Sequence, residues 1–175
     1  SLGAFLFIFC PLLAVSAAFL SEHALVAFLT PLLLVVYSVG IRGAGLSRDK
    51  NLAILLLLGL NFAANQGGPG SPAAGGRNAI MIGILGDYGL APTFGQWMQY
   101  GLPFVPVMAL VIATYFYFVV RPKVSARSLD VAAIVRAESK KIGAMTRQEY
   151  LAAAVLSLVV LLWITASDVL GMGGP

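Results

Sequence analysis

Long apolar runs separated by short polar breaks are the feature of this sequence that most constrains its fold. A membrane-spanning helix needs about 20 consecutive apolar residues. Apolar runs occupy residues 2–20, 24–39, 51–62, 96–120 and 150–170, and the first and the last two of them reach or approach that length. Charged residues make up 10% of the chain, whereas a soluble domain has about 25%. Such a sequence cannot cover a water-facing surface, so it excludes a soluble globular enzyme and predicts an all-α polytopic membrane protein.

The basic residues predict which loops face the cytoplasm. Seven of the 11 lie between Arg121 and Arg147, and three more lie in residues 41–50. Because short loops rich in Lys and Arg stay on the cytoplasmic side, we place the loops 41–50 and 121–149 there, in the inner (plasma) membrane. The segment 131–141 is expected to form an amphipathic helix on the membrane surface. No basic stripe is interleaved with aromatic residues, so nucleic acid is not an expected partner.

The first two apolar runs are predicted to form a hairpin over residues 1–40. The polar residues at 21–23 separate them, and three residues are very few for a loop between two straight spans. Neither arm is comfortably long. We therefore expect a re-entrant hairpin that enters and leaves the membrane on one side, with its tip at 21–23 buried in protein, where irregular backbone is tolerated.

Residues 51–90 are predicted to form one broken transmembrane helix. The stretch 63–78 is rich in Gly and Pro, and neither apolar flank is expected to cross a bilayer alone. Discontinuous helices of this kind form the substrate and ion sites of secondary transporters. The remaining elements are predicted as a full span over 96–120, a basic cytoplasmic linker over 121–149 and a further span over 150–170.

Several motifs resemble those of the divalent anion/sodium symporter family, which includes dicarboxylate, citrate and sulfate carriers. The segment 64–72 reads ANQGGPGSP, with Asn78 further on, and is similar to the signature of that family's unwound helix. The segments 94–98 and 141–149, and the tripeptide at 163–165, resemble later landmarks in the same order. The resemblance therefore extends across nearly the whole chain.

The resemblance implies a transporter of inverted repeats that forms homodimers and moves a small anion by an elevator-like motion. This chain would cover the later part of the first repeat and the first helix of the second, and would hold half of a transport site. The candidate substrate-binding residues, at the hairpin tip and in the unwound loop, are Ser21, Glu22, His23, Asn65, Ser71, Arg77 and Asn78. The implied ion-binding residues are Ser21, Asn65, Gly67, Gly70 and Asn78.

Two segments depart from the family pattern and leave the coupling ion open. Glu22 and His23 stand where the family has Asn and Thr, and Gly76 and Arg77 stand where it has two prolines. Arginine at membrane depth marks a substrate path or a buried pair. Arg77 is thus expected to bind the anion, to replace a bound cation, or to pair with Glu22. Sodium is the coupling ion that the resemblance implies, and proton coupling through Glu22 and His23, or exchange, are the alternatives.

Three functions can be weighed from these features. The first is symport or exchange of a di- or tricarboxylate or a sulfate-like anion. The second is a structural membrane subunit of a larger complex that has lost transport, and the least supported is an intramembrane enzyme using Glu22 and His23. No cofactor and no metal site are expected, since the single Cys10 and single His23 lack further ligands nearby. The start at Ser1 and the end after an apolar run suggest a piece of a longer membrane protein.

Overall fold

The computed structural model describes residues 2–126 and 129–169, and the described chain is helical throughout, without strands. Its helices are α1 (Leu2–Ala17), α2 (Glu22–Gly43), α3 (Lys50–Ala53), α4 (Gly59–Asn65), α5 (Gly76–Asp87), α6 (Phe94–Tyr115), α7 (Val131–Ile142) and α8 (Arg147–Val169). A π-helical stretch, Ile54–Leu58, joins α3 to α4, and a second, Phe116–Val120, extends α6. The predicted all-α class is confirmed.

Within the described residues, four stretches are long and apolar enough to cross a membrane: Glu22–Gly43, Lys50–Gly70, Phe94–Lys123 and Arg147–Thr165. α1 is apolar but shorter. Two of these stretches are longer than the sequence predicted. α2 has 22 residues, so length alone no longer favours a re-entrant arm, and Lys50–Gly70 has 21 residues, enough by length to span. The re-entrant geometry remains a prediction.

The core lies where α1 packs between α4 and α6. Leu6 and Cys10 of α1 are buried together with Leu60 of α4 and Val105 of α6. The outward faces carry exposed large apolar side chains such as Phe28. Apolar surface of this extent needs lipid or other helices against it, as expected for a membrane protein.

α7 packs against both α1 and α2. Val131 is buried, while Ile134 and Val135 pack against the core, so the predicted apolar face of this helix points inward. α8 begins at Arg147, three residues before the predicted span. Leu170, the last residue of that predicted span, and Arg127 in the basic linker lie outside the described residues.

A buried carboxylate, Asp49, ties three segments together at the end of the bundle opposite the hairpin turn. Its side chain accepts hydrogen bonds from four backbone N–H groups. One oxygen, Oδ1, receives those of Asn51 and Leu52, both at 3.0 Å. The other, Oδ2, receives those of Ser125 at 2.7 Å and Ala126 at 3.1 Å. The carboxylate thus caps the start of α3 and fastens it to the chain that follows α6.

Polar groups next to the Asp49 carboxylate are hydrogen-bonded as well. Its own N–H donates to the Tyr37 hydroxyl at 3.2 Å, and the Asn51 side chain donates to the Lys123 carbonyl at 2.8 Å. Burial raises the pKa of the Asp49 carboxyl, but the four N–H groups that donate to it outweigh this effect and hold the pKa below its usual value of 3.8. We call Asp49 and its four N–H donors the Asp49 junction.

Candidate functional site

The helical path of the second candidate span is interrupted at residues 66–75, which we call the break. α4 ends at Asn65, two 3₁₀ turns follow at Gly68–Gly70 and Pro72–Ala74, and α5 starts at Gly76. The predicted unwound stretch, 63–78, was longer at both ends. Gly75 is fully extended and ends the irregular segment, so Arg77 and Asn78 lie in the first turn of α5.

Small residues allow the break to lie directly against α1. A Cβ atom added to Gly67 would lie 2.5 Å from both the Ala14 carbonyl oxygen and the Ala17 Cβ. Ser71 is fully buried, and its hydroxyl donates to the Ala18 carbonyl. The break is therefore fixed to the end of α1, one turn before the hairpin tip.

Side chains from α5 and α6 hold the carbonyl groups of the break. The Asn78 Nδ2 donates to the carbonyls of Gly68 and Ser71, at 2.7 Å each. The Trp97 Nε1 donates to the Pro69 carbonyl at 2.9 Å. These bonds replace the helical hydrogen bonds that the break has lost, which is the condition for irregular backbone inside a membrane protein.

The hairpin tip faces the break across a charged pair. The Glu22 Oε1 lies 3.7 Å from the Arg77 Nη2, an ion pair of the kind considered from the sequence. The same Arg77 Nη2 donates to the Asn65 Oδ1 at 3.3 Å. The His23 Nδ1 lies 3.8 Å from Glu22, and its side chain is 88% exposed. The guanidinium therefore lies between the first turn of α2 and the last residue of α4.

The second oxygen of Glu22 has no hydrogen-bond donor among the described residues. Oε2 is buried, and the whole side chain is 20% exposed. A buried carboxylate oxygen without a donor is costly, because water no longer solvates it and nothing replaces the water. Such an atom in a cleft is a candidate binding group rather than a structural one.

Two helix N-termini open onto a cavity beside the pair. The cavity has a volume of about 700 Å³ and is lined by Ser21 and Glu22 of the tip and by Gly75, Gly76 and Arg77. Neither start, at α2 nor at α5, is capped by a side chain. Uncapped N–H groups and the positive end of the helix dipole favour an anion there. Arg77 adds a full positive charge, and 73% of its side chain is exposed.

The structure brings all predicted site residues to one place, in two layers. Ser21, Glu22, His23, Asn65 and Arg77 line the cavity. The others lie behind it, within or beside the break: Gly67, Gly70, Ser71 and Asn78.

Sequence reasoning missed two residues of this region, Asn61 and Trp97. Asn61 lines a smaller cavity of about 390 Å³ together with Glu22 and Asn65. The sequence did contain a sign of Asn61, because it is a lone amide inside the apolar run 51–62. Trp97 was noted as part of a motif, but its contact with Pro69 depends on the tertiary arrangement of α6.

The oxygen atoms of the break provide a test of whether sodium fits this half-site. Hard cations bind through several oxygen ligands, and in broken helices the unwound carbonyls supply them. Here the carbonyls of Gly68, Pro69 and Ser71 and the amide oxygen of Asn65 each accept an N–H from this chain. A carbonyl oxygen has two lone pairs, and each accepted N–H takes up one of them. Among these side chains the orphaned oxygen of Glu22 is a single ligand, so these oxygens form a poor donor set for sodium, which binds through several oxygen ligands.

The fold defines a multi-pass membrane protein in which the break faces the turn between α1 and α2. A sequence profile described as the sodium:sulfate symporter transmembrane region matches residues 84–171, half of the chain. The chain belongs to this family. The matched residues run from the end of α5 to α8, so the break and the Glu22–Arg77 pair lie outside the match and are interpreted from their geometry.

One relative is similar over a larger share of the chain. It is an "Uncharacterized transporter" from Haemophilus influenzae (strain ATCC 51907 / DSM 11121 / KW20 / Rd), 29% identical over 104 residues, which are 59% of this chain. The similarity covers 21% of that relative's length, so this chain spans a fraction of it. No solved structure matches the chain.

Proposed function

We propose that this chain forms part of a secondary active carrier for a divalent anion, either a di- or tricarboxylate or a sulfate-like ion. The observation that carries the proposal is the Arg77 guanidinium beside two uncapped helix N-termini at one cavity. A guanidinium binds carboxylate and sulfate oxygens through paired N–H groups. A cavity of about 700 Å³ falls in the range of small-molecule sites.

The transport motion is proposed as elevator-type alternating access. In this account α1 and α2 form a re-entrant hairpin, and the break with its hairpin tip moves as one body. Support comes from the direct packing of Gly67 and Ser71 on the end of α1, which links the two parts of the site. We propose a homodimer in the inner membrane, with the loops 41–50 and 121–149 in the cytoplasm.

Uptake by the full-length gene product in proteoliposomes tests this function. Labelled sulfate, succinate and citrate are offered with an opposing pool of the same anion inside, so that exchange is also detected. We expect accumulation of at least one divalent anion that the unlabelled anion suppresses. Failure of all three, with protein that is folded and correctly inserted, contradicts the proposal.

The structural-subunit alternative explains the cavity less well. A chain that had lost transport would have no selection for an open cavity lined by a charged pair. The exposed Arg77 guanidinium at this cavity favours a binding role instead. Neither an enzymatic reaction nor additional membrane subunits are part of the proposal.

A further inference from the structure

We propose that the Arg77 guanidinium takes the place of a coupling cation, so that this half-site binds its anion without sodium. The inference rests on the proposed function and concerns the charge balance of the same site. A divalent anion in a membrane cavity needs positive charge close by, because desolvated charge is expensive. In a sodium symporter, bound sodium ions supply part of that charge. Here a side chain of the protein supplies it.

The position of Arg77 is the first argument. Its Nη2 contacts the Asn65 Oδ1 at the end of α4 and the Glu22 Oε1 at the start of α2. These are an amide oxygen and a carboxylate oxygen, the two ligand types that a hard cation would use. A Cβ atom added to Gly68 would lie 3.6 Å from the same Nη2, so the guanidinium also lies over the backbone of the break. The tethered cation thus occupies the space between the candidate ligands.

The remaining oxygens of the break are the second argument. Asn78 donates both of its Nδ2 bonds to carbonyls of the break, those of Gly68 and Ser71. Trp97 donates to the carbonyl between them, that of Pro69. Sodium bound through these carbonyls would have to share each oxygen with an N–H group that holds the irregular backbone, which weakens both interactions. An anion would approach the N–H groups instead, so it would not compete with these hydrogen bonds.

Sodium substitution separates this inference from the proposed function. Uptake into proteoliposomes is measured with sodium and with choline outside at equal ionic strength. The inference expects rates equal within about twofold, and a rate at least about tenfold higher in sodium overturns it. Absence of uptake and exchange in both salts contradicts the proposed function. In that case the thermal unfolding midpoint of the purified protein is measured in sodium and in choline. A higher midpoint in sodium overturns the inference, and equal midpoints support it.

Variants of Arg77 provide the second readout. Arg77→Ser removes the tethered cation, and we expect uptake in choline to fall by about tenfold or more. Arg77→Lys keeps a positive charge and is expected to retain uptake without sodium. Arg48→Ser is the matched control, because Arg48 is an exposed arginine in the loop before α3. Equal uptake in choline by the wild type and Arg77→Ser overturns the inference; if Arg77→Ser fails to fold, the wild-type salt comparison decides.

Discussion

Two carboxylates of this protein are held at opposite ends of the bundle, and their partners differ. Asp49 is 4% exposed, and both of its oxygens accept two backbone N–H groups. Glu22 has one oxygen at 3.7 Å from a guanidinium and another that is buried without a donor. A carboxylate with every lone pair satisfied stabilises a structure, whereas one left incomplete is available to a ligand. Asp49 is therefore a structural anchor, whereas Glu22 is an incompletely paired carboxylate beside the cavity.

The largest expected effect is on the Asp49 junction. Asp49→Asn keeps an oxygen for the start of α3 but turns an NH₂ group toward the N–H groups of Ser125 and Ala126. Leaving the buried donor of Ala126 and the partly buried donor of Ser125 unpaired costs about 3 kcal/mol of unfolding free energy, measured by denaturation in detergent. Asp130→Asn is the control, because Asp130 caps α7 with one bond at 3.3 Å and Asn is as good a cap. Equal losses in the two variants contradict the special role of Asp49.

The next effect concerns how tightly the break is packed. A Cβ atom at Gly101 would overlap the carbonyl oxygen of Pro69, which is backbone and cannot swing away. Gly101→Ala is expected to cost about 2 kcal/mol and to weaken anion binding, because the break must shift. Gly83→Ala is the matched control, since nothing lies within 4 Å of a Cβ there. Gly101→Ala with unchanged stability and binding would show that the break has room to move.

A smaller effect is expected from neutralising the incomplete carboxylate. Glu22→Gln removes the negative charge that competes with the substrate for Arg77. We expect anion affinity to rise by about threefold to tenfold, while stability changes by no more than about 0.5 kcal/mol. The two readouts are equilibrium binding of labelled anion and thermal unfolding. A large loss of stability with no change in affinity would make Glu22 an anchor like Asp49.

The smallest expected effect is the dependence of stability on acid at the Asp49 junction. Because the folded-state pKa of Asp49 is lowered, its contribution to stability is present above the unfolded pKa of about 3.9. It is lost as the pH falls through the folded-state value. Wild-type unfolding free energy should therefore decline on acidification below about pH 4, and Asp49→Asn should lack this part of the decline. If the stability of the wild type and of Asp49→Asn declined in parallel on acidification, Asp49 would not be the source of this pH dependence.

The sequence predicted the fold class, whereas the contacts among the candidate site residues came from the structure. Apolar runs and Gly/Pro content placed the break close to its true position, because both are local properties. The start of α5 at Gly76 was not predicted, since it depends on Asn78 reaching back to Gly68 and Ser71. The Asp49 junction was missed altogether. An Asp before a helix signals a cap, but its second pair of donors lies 76 and 77 residues further along the chain.

The central claim is that Arg77 binds the transported anion, and equilibrium binding tests it most directly. Labelled sulfate and succinate are titrated against the purified full-length protein, Arg77→Gln and the surface control Arg48→Gln. The account predicts that Arg77→Gln loses affinity by about tenfold or more, while Arg48→Gln binds like the wild type. Equal affinity in all three proteins for an anion that the wild type binds would contradict it.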